Sequence, residues 1–295
     1  MIELREVKKN YGDKTALDNL SLTINSGELF GLLGPNGAGK TTTINLLSSL
    51  SKADSGYICI NGLNLTENIK KIKRLIGLIP QELSLYEDLS AWDNLLFWGK
   101  LYDLKIGILK DKASQLLKSI DLYNKRNALV KTYSGGMKRR LNIIIGLLHD
   151  PSIIFLDEPT VGVDTQSRSF IFDMIKSLNK EGKTIIYTSH YIEEIEKLCT
   201  RVGIIDYGKI IALGTVSELC NSLNFDEKIE LVYSNMADKT KTDSIILKGH
   251  EVKEKIFETL QYLNNNNQNI ENLIYTKTNL EEVFLHLTGR SLRED

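Results

Sequence analysis

Residues 34–41, Gly-Pro-Asn-Gly-Ala-Gly-Lys-Thr, combine the residue types that bind a chain of phosphates. They fit the pattern G-x-x-x-x-G-K-[ST] at each fixed position. Glycines at this spacing let successive backbone N–H groups turn inward around an anion. Lys40 can contact the β- and γ-phosphates of a nucleotide, and the hydroxyl of Thr41 can coordinate Mg²⁺. A glycine-rich turn that binds nothing is the alternative interpretation of the same letters.

Two adjacent acids, Asp157 and Glu158, follow a short apolar run at 153–156. Phosphoryl transfer from a nucleotide needs a metal ligand and a group that orients the attacking water. Asp157 would hold Mg²⁺, directly or through water, and Glu158 would polarise the water. Acids at the carboxyl end of a buried strand lie where α/β folds bind ligands. A strand-ending turn with two solvated acids is the weaker alternative beside a phosphate loop.

A second candidate phosphate site lies at Ser134, Gly135 and Gly136, before a helix-type pattern at 138–148. Ser134 can cap that helix, and its two glycines allow a close approach to the backbone. Helix N-termini attract anions, but one triphosphate hardly needs two such loops. A symmetric dimer would explain both, with each nucleotide between the loop at 34–41 of one copy and Ser-Gly-Gly of the other.

The elements that position these residues follow from the hydrophobic pattern. Short apolar runs alternate with helix-type segments along much of the chain. The predicted strands include 2–7, 20–24, 29–33, 57–60, 75–79, 153–156, 184–187 and 202–205. Strands that alternate with helices indicate a mostly parallel sheet covered on both faces, so the fold class is α/β.

A helical block at about 85–150 interrupts this alternation and is predicted to be an inserted subdomain. Ser90 and Asp93, three residues apart, resemble a capping box at its start. The composition changes after about residue 220, where we expect a small appended α/β unit. The predicted domains are therefore 1–220, which contains the helical subdomain, and 221–295.

Composition excludes several classes of protein. The 295 residues are 42% hydrophobic and 25% charged, with a formal net charge of −1, which argues against a polyanion-binding surface as the main activity. Three cysteines without C-x-x-C spacing indicate neither a disulfide framework nor a zinc site. The charged N-terminus is unlike a signal peptide, and no apolar run approaches the roughly 18 residues of a spanning helix. We expect a protein of the cytosol that does not cross a membrane by itself.

Several motifs in a fixed order make residues 1–220 resemble the ATP-binding cassette (ABC) ATPases, the nucleotide-binding subunits of ABC transporters. Residues 34–41 resemble the Walker A motif, 153–158 Walker B, 133–137 the LSGGQ signature and 161–164 the D-loop. The resemblance implies a P-loop NTPase (RecA-like) core with an N-terminal antiparallel β subdomain. It also implies a set of ATP-binding residues: Tyr11 (stacking on adenine), Gly34, Asn36, Gly37, Ala38, Gly39, Lys40, Thr41, Thr42, Ser134, Gly135, Gly136 and Asp164.

The resemblance further implies the catalytic residues. Glu158 matches the catalytic glutamate, and His190 matches the switch histidine that faces the γ-phosphate. Gln81 matches the Q-loop glutamine, which touches Mg²⁺ and the water and connects to the membrane subunits. The implied cofactors are ATP and Mg²⁺, and the implied metal ligands are Thr41, Gln81 and Asp157.

Two residues depart from the signature, because Met137 stands where the family usually has Gln and Tyr133 where it usually has Leu. Met cannot make the hydrogen bonds of glutamine, but Ser134, Gly135 and Gly136 are present, so we expect activity. This variant, with the tail at 279–284 and 287–290, is similar to stand-alone ATPase subunits of bacterial exporters of drugs, antibiotics, bacteriocins or lipid-linked molecules.

The resemblance implies a motor that powers export through a separate integral-membrane permease. The chain would form a head-to-tail homodimer, or a dimer with a related ATPase subunit, and would lie on the inner face of the cell membrane. A soluble ABC ATPase acting on ribosomes or nucleic acid is the alternative. Such relatives tend to carry two cassettes or a long coiled coil, whereas this chain has one cassette and no sustained heptads. A silent regulator is disfavoured because Lys40, Glu158 and His190 are all present.

Overall fold

Buried runs of aliphatic residues form the central sheet of residues 1–215, the first of two compact units of the chain. The computed structural model describes residues 1–222, 228–235, 238–248, 252–266, 268–276 and 279–289. The strands of the first unit are β1 Ile2–Tyr11, β2 Lys14–Ile24, β3 Leu29–Leu33, β4 Ser55–Ile60, β5 Leu63–Asn64, β6 Ile76–Ile79, β7 Ile153–Asp157, β8 Thr184–Ser189, β9 Arg201–Asp206 and β10 Lys209–Gly214. Its helices are α1 Lys40–Leu47, α2 Ile69–Leu75, α3 Ala91–Leu101, α4 Ile106–Ser119, α5 Gly135–Leu147, α6 Thr165–Lys180 and α7 Ile192–Leu198.

The central sheet has the strand order β10-β9-β3-β8-β7-β6 and is parallel except for β10 beside β9. The strands β3, β7 and β8 are buried along their whole length, as expected when helices cover both faces. The register places Leu33 opposite Ser189, and Asp157 opposite Thr188. Because parallel strands end at the same edge, the residues that follow β3, β6, β7 and β8 are brought together there. The predicted α/β sheet is confirmed.

The N-terminal subdomain is an antiparallel sheet in the order β2-β1-β4-β5. Its apolar face shares one core with α1 and the central sheet, through residues such as Leu22, Ile44 and Phe155. The strands β1 and β2 are longer than the pattern predicted. Their pairing is irregular near Glu6 and Asn19, both of which have a positive φ, and such irregularities interrupt the alternation on which the prediction depended.

The helical subdomain consists of α3, α4 and much of α5, packed around Leu95, Leu117 and Ile144. Ser90 caps α3, since its Oγ accepts a hydrogen bond from the backbone N–H of Asp93 at 3.0 Å. The predicted helix start is confirmed. The helix α5 runs from the signature to the segment before β7, and therefore contacts both this subdomain and the central sheet.

The second unit comprises residues 216–291, so the division falls a few residues before the predicted one. Its elements are α8 Val216–Ser222, β11 Lys228–Asn235, β12 Asp238–Lys248, α9 Val252–Asn265, β13 Gln268–Thr276 and α10 Leu280–Thr288. The strands form an antiparallel sheet, β12-β11-β13, and Leu263 of α9 packs on Ile229 and Leu231. The domains 1–220 and 221–295 stay a prediction from composition. Arg290 of the tail pattern lies outside the described residues.

Candidate active site

The phosphate loop joins the end of β3 to the first residue of α1, as predicted. Gly37 and Gly39 have φ values of 78° and 115°, which L side chains rarely adopt. A Cβ on Gly39 would lie 2.8 Å from Cδ2 of Leu17 and 2.9 Å from the carbonyl oxygen of Ala16. The loop therefore needs glycine at residue 39 both for its conformation and for its close packing on β2.

Lys40 lies at the base of this loop and is only 4% exposed. Its Nζ donates hydrogen bonds to the carbonyl oxygens of Gly34 at 2.7 Å and Pro35 at 3.1 Å. The same Nζ is 3.1 Å from Oε1 of Glu158. An ammonium has three hydrogens, so Lys40 must exchange one of these partners to bind a phosphate oxygen.

Glu158 joins the phosphate loop to His190. Its Oε2 lies 3.1 Å from Nδ1 of His190, while Oε1 faces Lys40. The backbone of Glu158 has a φ of 46°, and its N–H donates to Oγ1 of Thr188 at 3.0 Å. The Thr188 hydroxyl in turn donates to Oδ1 of the buried Asp157 at 2.6 Å. The structure thus brings Lys40, Asp157, Glu158 and His190 into one connected cluster.

Gln81 follows the end of β6 and has an exposed side chain. Its backbone carbonyl accepts a hydrogen bond from Nη1 of Arg139 at 2.8 Å, and the carbonyl of Glu158 accepts one from Nη2 at 2.8 Å. Burial lowers the pKa of Arg139. Sequence reasoning missed this arginine, which connects the backbone of Gln81 to that of Glu158.

The signature begins α5 as predicted. Ser134 is the N-cap, and its Oγ accepts from the backbone N–H of Met137 at 3.3 Å. The Ser134 hydroxyl hydrogen therefore stays available to donate to a phosphate oxygen. Gly135 is exposed, and the nearest atom to a Cβ placed on it would be the carbonyl oxygen of Gly162 at 3.9 Å.

Gly136 is buried against the start of α6. A Cβ on this residue would lie 2.1 Å from Oγ of Ser167 and 3.1 Å from Oδ2 of Asp164. Asp164 caps α6 by accepting from the N–H of Ser167 at 2.9 Å, and this hydrogen bond lowers the pKa of Asp164. The signature and the D-loop are consequently neighbours within one chain.

Both departures from the signature have a structural role. The Tyr133 hydroxyl donates to the carbonyl oxygen of Lys125 at 2.7 Å, and its ring is buried in the helical subdomain. Met137 packs against the same apolar cluster. These two side chains stabilise the subdomain that holds Ser134, rather than contributing polar groups beside it.

The other residues of the phosphate loop differ in their exposure to solvent. Asn36 and Thr41 are exposed, Thr42 is half-buried and Ala38 is buried. Tyr11 ends β1 and is 50% exposed. The hairpin β1–β2 that carries Tyr11 approaches the loop at Ala16 and Leu17, as described above. An exposed ring in this place can stack on a base.

A buried carboxylate, Glu194 of α7, was also missed by sequence reasoning. It accepts hydrogen bonds from the hydroxyls of Thr160 at 2.7 Å, Tyr187 at 2.8 Å and Ser189 at 2.9 Å. Burial raises the pKa of Tyr187 well above its usual value, so the phenol remains a donor. Thr160 follows the Walker B acids and Ser189 precedes His190, and Glu194 therefore connects both segments to α7.

Comparisons with known proteins agree with this geometry. Residues 17–161 match the family described as "ABC transporter". The linearmycin resistance ATP-binding protein LnrL of Bacillus subtilis is 42% identical over 100% of both chains. The Nod factor export ATP-binding protein I of Cupriavidus pinatubonensis is 37% identical, over 100% of this chain and 92% of that protein.

Among solved structures, a dimeric post-hydrolysis ATP-binding cassette bound to ADP and Pi superposes with a TM-score of 0.66. It is 28% identical in sequence and covers 73% of this chain and 98% of its own. The predicted family, fold and ATPase activity are confirmed. The chain belongs to the ABC transporter family, as an ATP-binding and ATP-hydrolysing subunit.

Proposed function

We propose that this chain powers export of a substrate through a separate transmembrane permease, by ATP-driven closure of a head-to-tail dimer. The observation that carries the hydrolytic part is the buried cluster of Lys40, Glu158 and His190 at the carboxyl ends of β3, β7 and β8. The cluster combines a cation for phosphate, a carboxylate for water and an imidazole for the γ-phosphate in one contiguous site.

The residues present fit Mg-ATP. The phosphate loop needs glycine at residue 39, where a Cβ would meet Leu17 and Ala16. Backbone N–H groups of such a glycine-rich loop can bind phosphate oxygens. The hydroxyl of Thr41, the carboxylate of Asp157 and the amide oxygen of Gln81 form an all-oxygen ligand set, which suits Mg²⁺. When bound, Mg²⁺ supplies neutralisation of the phosphate charge. Thr188 holds the Asp157 carboxylate in place by its 2.6 Å hydrogen bond.

Glu158 acts as the base in this proposal. Its carboxylate accepts a proton from the attacking water while His190 orients it through the 3.1 Å contact. Gln81 would hold the same water and Mg²⁺, and the exposed ring of Tyr11 would stack on adenine. Lys40 transfers from the Glu158 carboxylate to the phosphates, which frees that carboxylate for the water.

The dimer follows from the position of the signature. Ser134, Gly135 and Gly136 lie at the N-terminus of α5, where the partial positive charge of a helix favours phosphate. In the proposed homodimer they contact the nucleotide held by the phosphate loop of the second copy, and Asp164 lies beside them. Loss of the γ-phosphate removes this contact and lets the dimer open.

The export direction rests on the relatives, one of which is named for linearmycin resistance and another for Nod factor export. Within the described residues, no helix combines the length and apolar character that a membrane span requires. The permease is therefore proposed to be a different chain, with this subunit docked on the cytoplasmic face of the membrane. Residues 216–291 are proposed to be an accessory, regulatory unit of the motor.

Copurification tests the transport role. Affinity-tagged chain, solubilised from its native membrane in mild detergent, is expected to retain an integral membrane protein that mass spectrometry identifies. Sedimentation of the same lysate through sucrose, with and without ribonuclease, is the control for the alternative function. Recovery with ribosomes or nucleic acid alone would contradict the transport proposal and favour a soluble ABC ATPase.

A further inference from the structure

Arg139 has an unusual environment for a charged side chain. It is only 2% exposed, and its hydrogen-bond acceptors are the carbonyl oxygens of Pro80 at 3.2 Å, Gln81 at 2.8 Å and Glu158 at 2.8 Å. Buried charges are stabilised only when hydrogen bonds replace water. The planar guanidinium meets this need because its donors point in fixed, diverging directions, which an ammonium cannot reproduce.

Hydrogen bonds hold the backbone of Glu158 at both its N–H and its carbonyl. Its N–H donates to Thr188, whose carbonyl is 3.2 Å away and whose Oγ1 is 3.0 Å away, and its carbonyl accepts from Arg139. The residue has a φ of 46°, a conformation that non-glycine residues keep only when the surroundings enforce it. Removing Arg139 would leave the buried carbonyl of Glu158 without that donor, so the backbone would be held only at its N–H.

Arg139 lies five residues after Ser134 on the same helix, α5. The guanidinium therefore connects the helix that carries the signature to Glu158 and to Gln81 at the start of the Q-loop. In the proposed dimer, Ser134 serves the partner's nucleotide while Glu158 serves the nucleotide of its own chain. One side chain thus connects groups that act in two different ATP sites.

We propose that Arg139 is a positioning residue that fixes the positions of Glu158 and Gln81 relative to α5, the helix that begins at the signature. Through Arg139, binding of the signature to one nucleotide would determine the position of Glu158 at the other nucleotide of the dimer. This inference rests on the proposed role of Glu158 and adds a residue that touches neither nucleotide nor water.

Arg140 provides a matched control on the same helix. Its Nη1 donates to the carbonyl oxygen of Ile120 at 2.9 Å, and its guanidinium lies 4.9 Å from the Phe170 ring centre. It therefore stabilises the helical subdomain without contacting Glu158. Methionine approximates the aliphatic part of either arginine and has no donor, so Arg139→Met and Arg140→Met remove the same polar group.

At saturating Mg-ATP, Arg139→Met is expected to lower kcat by up to about a hundredfold, a loss that a misplacement of about 1 Å can cause. The dissociation constant for a fluorescent ATP analogue should stay within about threefold of wild type, because Lys40 and the phosphate loop are unchanged. Arg140→Met should keep kcat within about threefold. Arg139→Lys should resemble Arg139→Met, since a single ammonium cannot reach three diverging carbonyls.

Several outcomes would overturn the inference. These are wild-type kcat in Arg139→Met, full turnover in Arg139→Lys, or equal losses of kcat and of thermal stability in Arg139→Met and Arg140→Met. Glu158→Gln is measured alongside them. Wild-type turnover in that variant would contradict the proposed role of Glu158, whereas an inactive Glu158→Gln beside a fully active Arg139→Met would contradict the role of Arg139 alone.

Discussion

Glutamine in place of Glu158 is expected to abolish ATP turnover while leaving ATP bound in a stable dimer. The amide cannot accept the proton of the attacking water, and loss of a general base costs on the order of 10²- to 10⁴-fold in rate. Its carbonyl oxygen can still accept from Lys40, so the buried contact that Glu158 makes at 3.1 Å is largely preserved. Phosphate release at saturating Mg-ATP measures the first effect, and light scattering measures the mass of the dimer.

Glu193→Gln is the matched control, because it changes an exposed glutamate on α7. It should turn over ATP at the wild-type rate. A monomeric Glu158→Gln under saturating Mg-ATP would contradict the shared-site dimer, and unchanged phosphate release would contradict the assignment of the base.

Alanine in place of Lys40 is expected to weaken ATP binding strongly and to abolish hydrolysis. Lys40 is the buried cation of the phosphate loop, and losing one partner of a buried charge pair costs about 2–5 kcal/mol in binding. This corresponds to roughly a 30-fold to several-thousand-fold rise in the dissociation constant for ATP. Isothermal titration calorimetry with Mg-ATP measures the change directly.

Folding must be separated from binding in this variant. Removing Lys40 leaves the Glu158 carboxylate with His190 as its remaining side-chain contact, and broken buried pairs cost about 3–5 kcal/mol of stability when nothing compensates. The thermal unfolding temperature is therefore measured alongside the calorimetry. Lys52→Ala, which changes an exposed lysine, is the control. A folded Lys40→Ala protein with wild-type turnover would refute the phosphate-loop assignment.

Strands were predicted well where a continuous apolar run is buried on both faces. The strands β3, β7 and β8 are of this kind, and each lies within two residues of its predicted bounds. The helix α2 was not foreseen, since Ile72 is its one buried residue and four exposed cations give it the pattern of a solvated segment. The strand β10 was also missed, although residues 210–213 are an apolar run of four. It follows β9 after a two-residue turn and pairs antiparallel with it at the sheet edge, so it falls outside the strand–helix alternation on which the prediction depended.

The motif residues of the site could be predicted because their chemistry is carried by short local patterns. The acids at 157 and 158 and the loop at 34–41 belong to parallel strands, whose common edge brings them together without further information. Arg139 and Glu194 carry no such local signal. Their partners lie up to 59 and 34 residues away in sequence, and only the packing of α5 and α7 on the sheet creates the contacts.

The two signature glycines differ in what a substitution can reveal. Any side chain at Gly136 would collide with Ser167 and displace α6, so a defect in that variant would combine damage within the chain with damage between chains. A methyl group at Gly135 would meet its nearest neighbour at an ordinary van der Waals distance of 3.9 Å. Gly135 is therefore a selective reporter for the contact with the second copy in the proposed dimer.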